Sequence, residues 1–458
     1  MSLVTTTVTY GSSIDAGLTA LKATIAYDDA LSDLPILVVM HGWNQTASAI
    51  YDSHALARFT NGVYFVVSGA TGDFTNGEAL TGDLGGAGLV NIGIADQVVP
   101  RSITTPFQVG EVLTGGSSGE TATIASIETA QAFVVFPEMR GRNGSSGTAD
   151  GGGRETQDII DAVEHCRTTY SAVVDPDLVL IAGYSGGGGN VQSATARFPD
   201  YFAGAAAFFG MCDYGYTDGE SWYYLNPAYS TGIAAWVGGV PSVVPKAYRA
   251  RASVLARANY SGGHLWLYHD IDDIRVDAAM HVRAVYEMGA AGLSNFSESL
   301  TTSADAVRWL HESPTSGNPV VLAELDYLPD FCAGTLAAWT IPAAGALVVC
   351  GWVDTKRLSV WLGNGLATYG LCTYNTTTDT YTITTDTPTA ISYLALKGRT
   401  PAATINATIN GVADSEVADG DGVATFQIPF TAAPVPVVGG AGKGQRVGRV
   451  SRVPEAVL

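Results

Sequence analysis

Basic residues are scarce in this chain. Of 458 residues, 23 are Lys or Arg against 43 Asp or Glu, a formal net charge of −20, and charged residues of all kinds make up only 14%. That balance argues against a nucleic-acid partner and against an anionic membrane surface, and its ordinary consequence is solubility. Cysteine is equally sparse: Cys166, Cys212, Cys332, Cys350 and Cys372 are odd in number, widely spaced and without a C-x-x-C. They read as small buried apolar residues, not as a disulfide framework or a zinc site. No run of about 18 apolar residues occurs, so no transmembrane helix is expected. The start, Met1-Ser-Leu-Val-Thr-Thr-Thr7, lacks the basic residues and apolar core of a signal peptide. Neither a metal nor a cofactor is expected. What remains is 47% hydrophobic, an ordered chain long enough for two to four domains.

Glycine, by contrast, is plentiful at 54 residues, and one cluster of it organises the rest. Leu178-Val-Leu-Ile-Ala-Gly-Tyr-Ser-Gly-Gly-Gly-Gly-Asn190 is a short apolar run ending in G-x-S-x-G, with a helix-like stretch from Asn190. In that setting the turn from strand to helix lifts the middle hydroxyl above the sheet, which makes Ser185 the candidate nucleophile. A Gly-rich loop is the alternative, and the flanking strand and helix weigh against it.

Around this stretch the chain alternates strands with helices. Residues 4–10 and 23–28 read as opening strands, and Pro35–Trp43 as a strand buried on both faces. A helix containing Ile50, Leu56 and Phe59 is expected after it. Ala132–Gly141 carries the next strand, Glu155–Tyr170 a helix, and Val173–Asp177 a turn into the Ser185 strand. Ala203–Gly210 is another buried strand. Such alternation indicates an α/β fold with a parallel sheet covered on both faces. Residues 61–131 break the pattern. They are rich in Gly, Thr, Ser and Val, and Phe74-Thr-Asn-Gly-Glu-Ala-Leu-Thr-Gly82 returns as Phe107-Gln-Val-Gly-Glu-Val-Leu-Thr-Gly115. This reads as a small all-β module with an internal repeat, inserted at a loop. Residues 213–260 are loop-like and aromatic, either a cap over a pocket or a satellite core.

A serine needs a histidine to take its proton and an acid to orient that histidine. In the G-x-S-x-G setting the order along the chain is Ser, acid, His. His264–His269 reads as a strand leading into Asp270, Asp272 and Asp273. A calcium site is the competing reading of those carboxylates, but no glycine turn or downstream Glu sits at EF-hand spacing. Beyond them lie His281, inside a helical stretch over 277–288, and His311, at the end of a strand expected over 306–310. The strand-end placement favours His311 as the base. For the oxyanion, the amide after the nucleophile, Gly186, and one from the His41-Gly42 loop, Trp43, are the expected donors.

These residues resemble the α/β-hydrolases. Met139-Arg-Gly-Arg-Asn-Gly144, Val174-Asp-Pro-Asp177, Gly183-Tyr-Ser-Gly-Gly187 and Arg197-Phe-Pro-Asp-Tyr-Phe-Ala203 resemble, in that order, the prolyl oligopeptidase-like catalytic domain over roughly residues 132–315. The resemblance implies Asp273 as the acid, since His269, Asp273 and Val276 fit H-x-x-x-D-x-x-V. Asp270 replaces the usual glycine of that pattern, which leaves Asp272 open. His41-Gly-Trp-Asn-Gln-Thr-Ala47 is more similar to polyhydroxybutyrate depolymerases and feruloyl esterases, which implies an esterase acting on an esterified polymer or glycan. The repeat of 61–131 resembles β-modules of phage tail and virion proteins, which implies other virion proteins as partners.

From about 319 the helical signal disappears. Ala344–Trp352, Leu358–Leu362, Tyr381–Thr384 and Ile391–Leu396 are short strands separated by turn residues, the signature of a β-sandwich. Residues 402–430 extend it or form a small β module, and 439–452 is a Gly-rich basic tail. The expected organisation is a hydrolase over 1–60 and 132–318, the inserted module over 61–131, a sandwich over 319–400, and the extension and tail over 401–458. Trp352 and Trp361 read either as core or as stacking platforms for a glycan.

Overall fold

Leu34-Pro-Ile-Leu-Val-Val-Met40 has no polar side chain, so it cannot lie at the edge of a sheet, and the computed structural model puts it at the centre of one. The structure describes residues 3–43, 45–46, 64–75, 77–94, 97–128, 132–303, 311, 336–363 and 365–430. Strands β1 (Leu3–Tyr10) and β2 (Leu21–Asp28) pair antiparallel. β3 (Leu34–Met40) runs parallel between β10 (Phe133–Pro137) and β11 (Val174–Tyr184). With β12 (Gly204–Phe208), β13 (His264–Asp270) and β14 (Phe296–Thr301), the sheet order is β1-β2-β10-β3-β11-β12-β13-β14. Six further strands fall in sequence between β3 and β10. With those set aside the order reads 1-2-4-3-5-6-7-8, an α/β-hydrolase sheet.

Period-two alternation splits β3 between two cores. Ile36, Val38 and Met40 join Ile159, Val163, Val191 and Met280 on one face. Leu37 and Val39 join Val134, Phe136, Leu180 and Phe208 on the other. The first face carries helices α1 (Glu155–Thr169), α2 (Gly186–Arg197) and α3 (Ala279–Ala290). The helix expected over residues 47–59 and the strand over 306–310 lie outside the described residues.

Two boundaries differ from expectation. The stretch around Pro176 is not a turn before β11 but part of it, where the register against β3 shifts between Val174 and Val179. α2 begins directly after Ser185, four residues before Asn190. Four glycines in a first helical turn cost about 1 kcal/mol each relative to alanine. The fold accepts that cost because a Cβ at Gly187 or Gly188 would strike the sheet, and one at Gly186 or Gly189 the side chain of Trp43 or Tyr214.

The sequence between β3 and β10 forms a closed barrel of β4 (Tyr64–Ser68), β5 (Ala79–Gly82), β6 (Ala87–Ile94), β7 (Gln97–Thr105), β8 (Val112–Gly115) and β9 (Thr121–Glu128), in the order β4-β7-β6-β5-β8-β9. Tyr64 and Glu128 are register partners, so the first and last strands of the barrel lie side by side at its two ends. The repeat explains its core: Phe74 and Phe107, and Leu80 and Leu113, are buried at equivalent positions. So are the two repeat carboxylates. Glu78 accepts from the backbone of Thr75, Ser117 and Ser118 and from both serine hydroxyls. Glu111 accepts from the amides of Gln108 and Gly86. Each therefore ties its own turn to a turn of the other copy. Burial pushes the Glu78 carboxyl up, but the bonds from Ser118, Ser117 and Thr75 outweigh it and hold the group at about 2.

In the C-terminal region, where a β-sandwich is expected, nine strands hydrogen-bond in one continuous order. They are β15 (Ala344–Cys350), β16 (Trp352–Asp354), β17 (Leu358–Trp361), β18 (Tyr369–Asn375), β19 (Thr380–Thr385), β20 (Tyr393–Leu396), β21 (Thr404–Ile409), β22 (Val412–Val417) and β23 (Ala424–Gln427). The order is β22-β21-β19-β18-β15-β16-β17-β20-β23, and the two end strands come back into contact. β21 closes the gap by pairing parallel with β19, so residues 402–430 complete this sheet and are not a separate unit.

The sheet docks on the hydrolase through buried polar groups. The Asn259 side chain donates to the Val348 carbonyl and accepts from its amide, as a neighbouring strand would. Asp200 accepts from the amides of Ile341 and Lys356. Arg197, 2% exposed, donates to the carbonyls of Cys350, Gly152 and Ala250 and to the Thr156 hydroxyl, with its guanidinium 4.7 Å above Trp352. Trp352 is thereby core, 2% exposed, and stacks on Trp361 at 5.2 Å. It offers no platform to a glycan.

Candidate active site

Ser185 sits between β11 and α2 with φ 55° and ψ −116°, a conformation an L-residue holds only when its surroundings force it. The force comes from close approach. A Cβ at Gly187 would stand 2.2 Å from the Met40 carbonyl oxygen, and one at Gly183 2.5 Å from the Gly187 carbonyl. Only glycine lets the helix rise this near β3, and the resulting turn projects the serine at the carboxyl edge of the sheet.

That hydroxyl meets an imidazole. His311 Nε2 lies 2.9 Å from Ser185 Oγ, and His311 Nδ1 lies 2.8 Å from Asp273 Oδ2. Asp273 is held in turn: its Oδ1 accepts the amides of Arg275 and Val276, and its Oδ2 is 3.4 Å from His269 Nε2. Burial raises the Asp273 carboxyl, but the hydrogen bonds from His269 and His311 prevail and keep it well below the usual carboxylate range. It is an anion facing the ring that orients on it. The Phe209 ring packs 4.6 Å from His311, from a backbone held at φ 41°.

The alternatives point elsewhere. His281 Nε2 is 2.8 Å from Glu298 Oε2. Asp270 accepts from the Asp272 amide and the Thr301 hydroxyl, and the three Asp residues do not converge. Among the described residues no group of three or more His, Cys, Asp or Glu is placed to hold a metal ion.

The loop after β3 lies against the serine. A Cβ built on Gly42 would stand 3.5 Å from Ser185 Cβ, and the Trp43 indole covers Gly186. His41 Nδ1 donates to the Gly42 carbonyl at 2.7 Å, which fixes the Gly42–Trp43 peptide plane and, because the peptide is trans, turns the Trp43 N–H to the opposite side. The Gly186 N–H opens α2, where no intrahelical acceptor exists.

Around Trp43 stands an aromatic wall. Trp236, Trp222 and Tyr214 lie 4.5, 5.2 and 5.8 Å from its ring, and Tyr229 stacks on Trp222. Trp222 and Tyr214 are buried, whereas Trp43, Trp236 and Tyr229 keep faces toward solvent. Part of the 213–260 segment therefore belongs to the main core, with Trp222 and Tyr214 in the same cluster as Ile36 and Val191. Sequence reasoning missed the group behind this wall. Arg142 lies over the Trp236 ring at 4.6 Å, donates to the Trp43 carbonyl at 3.3 Å and approaches Glu155 at 3.7 Å. Glu155, 1% exposed, also accepts from Asn190 and from the Asp150 amide. Its burial could not be read from a sequence in which it opens a helix beside Arg154.

Burial dominates the Glu155 carboxyl; against the pull of Arg142, and aided by Asp150, it lifts the group to about 7 from its ordinary 4.5. Between those values the folded chain holds a proton that the unfolded chain has released, so stability falls as pH rises through that window. Glu155→Gln is expected to flatten this decline, seen as a smaller difference in Tm between about pH 5 and about pH 7.5. An undiminished difference would place its origin elsewhere.

Residues 120–296 match the model of the prolyl oligopeptidase family. No curated protein sequence matches the chain. Among solved structures, it is similar to the acylaminoacyl peptidase of Pyrococcus horikoshii, with 14% identity over 71% of this chain and 41% of that one and a TM-score of 0.43. It is also similar to the Pyrococcus furiosus esterase Pf2001, with 10% identity over 72% of this chain and 91% of that one and a TM-score of 0.38. Fungal esterases from Rhizomucor miehei give 12% identity, 73% and 85% coverage, and a TM-score of 0.43. The chain thus spans about two fifths of the length of the peptidase. The matched stretch, less than half of this chain, is similar to the prolyl oligopeptidase family's domain, in keeping with the α/β-hydrolase order of the sheet.

Proposed function

We propose that the chain is a carboxylic ester hydrolase in which Ser185 is the nucleophile, His311 the general base and Asp273 the orienting acid. One observation carries the reading: a single imidazole bridges Ser185 Oγ and Asp273 Oδ2 at 2.9 and 2.8 Å. Ser185 Oγ attacks the ester carbonyl carbon while His311 Nε2 takes its proton. The amides of Trp43 and Gly186 receive the oxyanion. Collapse of the tetrahedral intermediate expels the alcohol, which takes the proton from His311 and leaves an acyl-enzyme. Water then repeats the sequence and releases the acid.

The partly exposed faces of Trp43, Trp236 and Tyr229 support an ester with an apolar or aromatic group over a peptide. Ile274, one residue from Asp273, is 87% exposed, and with Tyr229 it gives the site an open apolar border suited to an extended chain. The substrate class we infer is an esterified polymer or glycan, with the barrel and the C-terminal sheet attaching the enzyme to a larger assembly such as a virion.

Matched alkyl esters and peptide amides with one acyl group separate the two chemistries, because activated nitrophenyl esters flatter any nucleophile. The expected result is a kcat/KM at least about 100-fold higher for the ester, with a fluorophosphonate probe attached at Ser185. Amide cleavage at or above the ester rate would make the enzyme a peptidase.

A further inference from the structure

The carboxylate that orients His311 is shared with a second imidazole that no step of the reaction above uses. His269, at the end of β13 and 1% exposed, has Nε2 2.8 Å from the Val276 carbonyl oxygen and 3.4 Å from Asp273 Oδ2. A carbonyl can only accept, so Nε2 carries the proton and donates it to Val276, with Asp273 Oδ2 alongside at 3.4 Å. Val276 is also the residue whose amide donates to Asp273 Oδ1. One ring therefore grips both the carboxylate and the loop that presents it.

We propose that His269 is a positioning residue for the triad acid. It fixes the Asp273 carboxylate plane through Oδ2 and takes up part of its charge, so that His311 is oriented without being over-stabilised as an imidazolium. The inference rests on the esterase reading but concerns only how the acid is held. Without the second donor, Oδ2 has one partner, the carboxylate can rotate about its two backbone bonds, and more of its charge falls on His311. A His311 that holds its proton more tightly is a base only at higher pH. The titratable and charged groups around Asp273 are His269 and Asp270 on β13, His281 on α3 (ring centroids 5.8 Å from His269) with Glu298 on β14 behind it, Asp272 and Arg275 on its own loop, and His311. His281 is pushed toward its neutral form first by burial, so it adds no fixed cation beside His269 at neutral pH.

His269→Phe, which keeps the ring and removes the donor, is expected to lower kcat by about 10- to 100-fold with KM within about twofold. It should also move the acid limb of kcat/KM upward by about half a pH unit or more. His269→Gln places an amide N–H where Nε2 stood and should recover kcat to within about threefold, with the wild-type acid limb. Loss of rate in both variants with an unmoved acid limb would overturn the inference and leave His269 a packing residue. Should the Phe variant fail to fold, ¹⁵N spectra of the wild-type histidines decide the point: a proton on Nε2 of His269 is required, and one on Nδ1 alone would overturn it. Failure of the esterase reading looks different, as wild-type enzyme that neither turns over esters nor takes the probe at Ser185.

Discussion

Ser185→Ala is expected to cut ester turnover by at least about 10⁴-fold while leaving the fold in place. The reason is chemical. The methyl group has no lone pair to attack with, and His311 keeps its place on Asp273 with no proton to take. The two oxyanion amides survive, so a small rate above the uncatalysed one should persist. Stability changes little because alanine bears the same backbone strain at φ 55° as serine, and the lost Oγ–His311 bond costs about 1 kcal/mol. Turnover by stopped assay, Tm and labelling by a fluorophosphonate probe check this together. Wild-type turnover in a folded Ser185→Ala protein would remove the serine from the mechanism and the esterase reading with it.

Arg197→Met should have the largest effect on stability. Arginine inside a core is ordinarily paired with a carboxylate, but this one is satisfied by three carbonyls, one hydroxyl and the face of Trp352. Burial pulls it down to about 10, with Cys350 opposing, so it remains a cation at neutral pH. Methionine replaces the aliphatic stem and leaves four buried acceptors without donors, at about 1–3 kcal/mol each before relaxation. A net loss on the order of 4 kcal/mol in denaturant unfolding is expected. Arg197→Lys should lose most of it too, because one ammonium cannot reach four acceptors spread over three segments. A loss below about 1 kcal/mol would mean that water replaces the guanidinium and that the interface is wetter than the contacts imply.

The parts legible in the sequence are those whose physics is local. A buried parallel strand is a run of apolar residues, so β3, β11 and β12 announce themselves. The elbow at Ser185 is legible because the steric demands of one turn fall on residues two apart. The acid loop follows from its place at the end of β13, and the final histidine from chain order. What stayed hidden depends on partners distant in the chain. β14, Phe-Ser-Glu-Ser-Leu-Thr, is two-thirds polar and is the last strand of the sheet among the described residues, and nothing in those letters distinguishes it from a loop. The early start of α2 opposes helix propensity and is decided by the closeness of β3. Glu155, Arg142 and Arg197 look like surface charges until the segments that bury them are in place. His269 is visible as a motif letter, but its reach to two oxygens at once is a property of the folded loop.

The crossed carboxylates of the barrel bear on how that module can come apart. Glu78 stitches the turn at Ser117–Ser118, and Glu111 stitches the turn at Gly86, so each half of the repeat lacks an acceptor that only its sibling supplies. Half a barrel would be left with bare amides at its turn and an open edge. Two separate copies of such a half could satisfy each other only by associating, and here a single polypeptide holds both. The module therefore melts as one cooperative piece or not at all, and a cut between Thr105 and Val112 should release no stable fragment.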